Sequence, residues 1–90
     1  MVTVEQSTTI KNRLGLHARP CAEFVKVAAK FRSDISVCKD GNWVNGKSIM
    51  GVMTLAAEFG STVTVRAQGG DAEEAAAALI TVLDRVWVEQ

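Results

Sequence analysis

The chain has one histidine, one proline and two cysteines in 90 residues, and no excess of either charge. Ten Lys+Arg offset ten Asp+Glu, so the formal net charge is zero. A general binder of nucleic acid or anionic membrane needs a cationic surplus, so neither is expected as a partner. A local basic patch stays open. Cys21 and Cys38 are not a C-x-x-C pair, and with one histidine they are too few for a tetrahedral zinc site without carboxylate help. No metal and no cofactor are expected. Two thiols do not make a disulfide scaffold, so reduced, structural cysteines in a cytoplasmic protein are the expectation. The longest unbroken apolar run, residues 75–80, is far short of a membrane span, so no membrane insertion is expected. MVTVEQSTTI has no basic n-region or apolar h-region, which argues against a signal peptide.

What is present is a foldable chain. With 48% apolar and 22% charged residues, disorder is not expected. The length fits a single domain over residues 1–90, burying roughly 60–65% of its unfolded surface.

Period-two alternation marks a strand from Val2 to Ile10, with Val2, Val4, Thr8 and Ile10 on one face. A helical pattern runs from about Ala18 to Phe31, its apolar side made by Cys21, Phe24, Val25, Ala28 and Phe31. Ile35 to Lys39 reads as a strand, Asp40-Gly41 as a hairpin turn, and Trp43 to Asn45 as the return strand. Ser48 caps a short apolar helix that Phe59-Gly60 closes. Ser61 to Ala67 is a strand with Val63, Val65 and Ala67 inward. Asp71 caps a last helix whose stripe is Leu79, Val82, Leu83 and Val86. The order β-α-β-β-α-β-α predicts an α+β two-layer sandwich, one sheet with helices on a single face. Strand pairing order does not follow from the sequence.

Gly15-Leu16-His17-Ala18-Arg19-Pro20 carries the most chemistry. Proline is tolerated in a first helical turn, where its missing N–H costs nothing. With Pro20 at the third helical position, His17 is the N-cap. The N–H groups of Ala18 and Arg19 then lack intrahelical acceptors and point out of the helix end. An anion there meets donors and the positive end of the dipole, and Arg19 adds a charged contact. Neutral imidazole is a nucleophile toward phosphorus, and such a cradle offsets the charge of the group it receives. Taken alone, His17 reads as a surface histidine at a helix start. The convergence of Gly15, Arg19 and Pro20 on it favours transient phosphorylation.

Ser48 reads either as a plain N-cap, worth about 1 kcal/mol, or as a phosphorylatable switch. The helix after it is apolar nearly all round, so one strip, including Met50, is expected at the surface. Packing roles are expected for Trp43 and Trp87, and a buried, unreactive one for Cys21. Lys11, Arg13, Arg19, Lys26 and Lys47 are candidates for a basic face near His17 that suits an acidic partner.

The hexapeptide 15–20 resembles the active-site motif of HPr, the histidine-containing phosphocarrier family of the bacterial phosphoenolpyruvate:sugar phosphotransferase system. Lys47-Ser48-Ile49-Met50-Gly51-Val52-Met53 is similar to that family's regulatory-serine motif, at the family's spacing from the histidine. The resemblance covers nearly the whole chain. It implies an open-faced β-sandwich with a four-stranded antiparallel sheet and three helices on one face. It implies that His17 takes a phosphoryl group on Nδ1 from phosphorylated enzyme I and passes it to enzyme IIA domains, with Arg19 and the amides of Ala18 and Arg19 in support. Leu16, Ala22, Lys26, Lys47, Ile49, Met50 and Met53 would form the docking surface. Ser48 would be the target of an HPr kinase/phosphorylase, with a catabolite-control transcription factor as a further partner, and the protein a cytoplasmic monomer. Asn12-Arg13-Leu14-Gly15 is similar to the nitrogen-related paralogue, so a nitrogen-type regulatory carrier is an alternative. A non-catalytic interaction module is another. His17 excludes the family's glutamine-for-histidine variants.

Overall fold

The computed structural model describes residues 2–87. Its elements follow the expected order: β1 (Thr3–Thr9), α1 (Ala18–Ala28), β2 (Asp34–Lys39), β3 (Asn42–Asn45), α2 (Ile49–Thr54), β4 (Thr62–Gln68) and α3 (Ala72–Asp84). The strands form one antiparallel sheet in the order β1-β4-β2-β3, with the three helices on one face.

The pattern of β4 explains its central place. Val63, Val65 and Ala67 are fully buried and alternate with polar residues, so one face is sealed while both edges pair. Register carries the face across the sheet: Thr8 lies opposite Val63, and Val37 opposite Val65. α1 and α3 cover it with Cys21, Phe24, Ala28, Leu79 and Leu83, all at most 1% exposed. The other face is open and polar. There Glu5 pairs with Arg66 at 2.7 Å, and Ser7 Oγ lies 2.7 Å from Thr64 Oγ1. Asp40 and Gly41 both have positive φ, +52° and +82°, as the tight hairpin between β2 and β3 requires.

Several expectations need correction. α1 stops at Ala28, not Phe31, because Lys30 and Phe31 bond to carbonyls three residues back and tighten the end into a 3₁₀ turn. α2 stops at Thr54, since Ala56 takes a left-handed φ of +49° that no helix continues. Val2 lies outside β1 and is half exposed. Trp43 sits on the open face, 40% exposed, beneath the Arg66 guanidinium at 3.9 Å from the ring centroid. Val86 does not extend the stripe of α3; the helix ends at Asp84 and Val86 is exposed.

Asp71 is the N-cap of α3, but its side chain does not cap that helix. It reaches across to the chain leaving α1. The amides of Arg32 and Ser33 donate to it at 2.9 and 3.0 Å, and Ser33 Oγ donates as well. The Ser33 hydroxyl and the Arg32 amide hold its carboxyl below the usual aspartate range. A depressed pKa contributes stability above the unfolded value, lost as pH falls below about 4. Asp71→Asn is therefore expected to lower the melting temperature at neutral pH, with the gap to the unaltered chain closing near about pH 3. Thermal melts at both pH values check this; an equal gap at both would contradict it.

Candidate functional site

The site is built where β1 hands over to α1. Gly15 has φ +70°, and a Cβ there would lie 2.4 Å from the Ala57 carbonyl oxygen. Only glycine takes this turn without strain. Next in line, the Leu16 amide donates to that same carbonyl at 2.7 Å. The two contacts pin the chain to the loop after α2 immediately before the histidine.

His17 is extended, with φ −86° and ψ −173°, and is the N-cap of α1. The first helical bond runs from Cys21 N–H to the His17 carbonyl at 3.1 Å. Ala18, Arg19 and Pro20 therefore form the first turn, with Pro20 at the third position as expected. The Ala18 and Arg19 N–H groups have no acceptor within the helix, and the dipole places about half a positive charge at this end. The ring of His17 is half buried, and Nδ1 lies 3.0 Å from the Gly15 carbonyl oxygen. A carbonyl only accepts, so this contact requires a proton on Nδ1.

His17 borders a cavity of about 430 Å³ with Arg13, Leu14, Val86 and Trp87 in its wall. The Arg19 guanidinium lies over the Trp87 ring at 5.5 Å, and that of Arg85 at 4.2 Å. Lys11 also lines the cavity, but its ammonium pairs with Asp84 at 2.8 Å. Lys11, joined by Thr8, holds the Asp84 carboxyl below its usual range. Cys21 is fully buried, its thiol donates to the Leu16 carbonyl at 3.3 Å, and burial pushes its pKa up to about 11. It is a packing residue. Among the described residues no cluster of three or more His, Cys, Asp or Glu could hold a metal ion.

Ser48 is the N-cap of α2; Gly51 N–H donates to its Oγ at 3.1 Å. Val52 alone of this helix is buried. Ile49, Met50 and Met53 are 40%, 72% and 44% exposed, so the apolar strip is at the surface. Ala22 and Lys26 are exposed on α1. Two expected docking residues are placed otherwise. Leu16 is 7% exposed and belongs to the core. Lys47 donates its ammonium to the Phe31 carbonyl at 2.8 Å, at the end of α1 opposite His17, so it does not join a basic face there.

The model of the family described as the PTS HPr component phosphorylation site matches residues 4–85. The chain belongs to the HPr family. An HPr-like protein Crh from Halalkalibacterium halodurans is 48% identical over 82 residues, 91% of this chain and 98% of that protein. The crystal structure of a phosphocarrier protein HPr from Bacillus anthracis superposes with a TM-score of 0.87 at 44% identity, covering 93% of this chain and all of that one. Crh from Bacillus subtilis, described as a swapped, intertwined dimer, gives a TM-score of 0.72 at 46% identity, covering 89% and 92% of the two chains. The HPr family's open sheet and β-α-β-β-α-β-α order are those described above.

Sequence reasoning missed the role of Asn12, Arg85 and Trp87. Asn12 is 5% exposed; it donates to the Arg85 carbonyl at 3.0 Å and accepts from Trp87 N–H. These contacts span more than seventy residues, and only an asparagine at the end of a strand pointed to them. The Gly15 corner yields a direct test. Gly15→Ala is expected to cost about 1–3 kcal/mol in denaturant stability and to shift the His17 ring resonances. An unchanged midpoint with unchanged resonances would contradict the strain argument.

Proposed function

We propose that this chain is a cytoplasmic phosphocarrier, a single HPr-like domain over residues 1–90. His17 accepts a phosphoryl group from phosphorylated enzyme I and passes it to enzyme IIA domains in sugar uptake. The observation that carries this reading is the position of His17 as the N-cap of α1, directly ahead of the first-turn residues Ala18 and Arg19. As the P–N bond to His17 forms, the donor's bond to phosphorus breaks. The added negative charge meets the Ala18 and Arg19 amides, the helix dipole and the Arg19 guanidinium. Transfer through Nδ1 requires the ring to leave the Gly15 carbonyl and its proton to move to Nε2, at a cost of about 1 kcal/mol for that bond. That cost favours handing the group on rather than storing it.

Ile49, Met50 and Met53, with Ala22 and Lys26, supply an apolar docking surface whose flexible methionines suit several partners. Ser48 Oγ is half buried at its helix end, and a phosphate there adds about −2 charge beside that surface without opposing the helix. An HPr kinase/phosphorylase and a catabolite-control transcription factor are the partners that follow. Similarity to Crh proteins favours a second reading, a regulatory HPr-like protein acting mainly through Ser48. His17 stands against it, since a regulator of that kind has no need of a histidine in an anion cradle.

The carrier is proposed to act as a monomer, with a swapped dimer like that described for Bacillus subtilis Crh as the alternative assembly. The decisive assay incubates the protein with phosphoenolpyruvate and purified enzyme I. An acid-labile adduct is expected, absent from His17→Ala, on a species of monomer mass by light scattering. ATP with HPr kinase should instead give an acid-stable adduct lost in Ser48→Ala. Absence of the acid-labile adduct, or its persistence in His17→Ala, would overturn the relay. The acid-stable adduct alone would favour the regulatory reading.

A further inference from the structure

The C-terminal segment returns to the histidine, and it does so through a built contact. After α3, Arg85 turns extended, and Asn12 then clasps the chain from both sides, donating to the Arg85 carbonyl and accepting from the Trp87 amide. Asn12 is buried, and it lies in the same loop that leads into Gly15 and His17. The clasp therefore registers Trp87 against the mouth of the site rather than leaving it at a loose end. Trp87 is half buried against the core, lines the cavity beside His17, and lies beneath the Arg19 guanidinium.

We infer that Trp87 is a positioning residue for phosphoryl transfer, acting through Arg19; the inference rests on the relay reading of His17. Arg19 carries a long side chain with many rotamers to lose on being ordered. An indole face attracts a guanidinium through its quadrupole and narrows that set. A cation held in place before the reaction stabilises developing phosphoryl charge without reorganising at that moment. Arg85, 4.2 Å from the same ring, adds a second cation to this wall. The indole does not touch the phosphoryl group in this account. It contributes to where Arg19 waits.

The test uses the full chain with Trp43→Phe, so that Trp87 is its one indole. Without any reaction, Arg19→Ala should change the Trp87 emission; no change would overturn the contact. With phosphorylated enzyme I as donor, Trp87→Leu should lower the transfer rate constant about two- to five-fold, the size of an exposed cation–π contact, and leave KM unchanged. Trp87→Phe keeps an aromatic face and should recover part of the rate. In an Arg19→Ala background, Trp87→Leu should have no further effect. An equal loss with and without Arg19, or no loss at all, would overturn the positioning role. An unchanged amide spectrum away from the site shows that Trp87→Leu is folded. The parent chain in the same assay separates the two ideas: if it forms no phosphohistidine the relay fails and the inference with it, whereas normal transfer that ignores Trp87 defeats the inference alone.

Discussion

The hydrogen bond from Cys21 N–H to the His17 carbonyl makes the histidine the last residue outside α1, and the site's geometry depends on that placement. One residue further in, the imidazole would lie on the helix flank, away from the donors of the first turn. One residue further out, it would lose the dipole, which decays within a turn. Both sides of the boundary are enforced. Upstream, Gly15 and Leu16 are pinned to the Ala57 carbonyl. Downstream, the buried Pro20, Cys21 and Phe24 fix the helix on the sheet. The packed core thus holds a polar helix end at the surface, where a partner reaches it.

Much of this was readable from local pattern. Alternation in residues 62–68 and the helical stripe of Cys21, Phe24 and Ala28 specify elements because each side chain's face is set by its own backbone period. The position of Pro20 located the start of α1, and Ser48 the start of α2, because capping is decided within one turn. What stayed hidden depends on distant partners. The β1-β4-β2-β3 order, the Asp71 carboxylate reaching Ser33, and the Asn12 clasp on Arg85 and Trp87 all join segments tens of residues apart. Lys47 and Leu16 show the same limit. Their sequence context suited a docking surface, but one ammonium is taken by the Phe31 carbonyl and the other side chain is drawn into the core.

A net charge of zero conceals an uneven distribution. Arg13 lines the cavity beside His17, and Arg19 and Arg85 share the Trp87 ring there, while Asp84 offsets Lys11 nearby. Asp71 lies at the far end of α1. Among the described residues, the histidine end thus gathers three arginines and the positive end of the α1 dipole.

The central claim is that the N-terminus of α1 holds the phosphoryl group on His17. Amide ¹H–¹⁵N spectra before and after phosphorylation by enzyme I test it most directly. The account predicts that the largest downfield proton shifts fall on Ala18 and Arg19, as their N–H groups bond to phosphoryl oxygens. A phosphohistidine at His17 that leaves those two amides unmoved would contradict it.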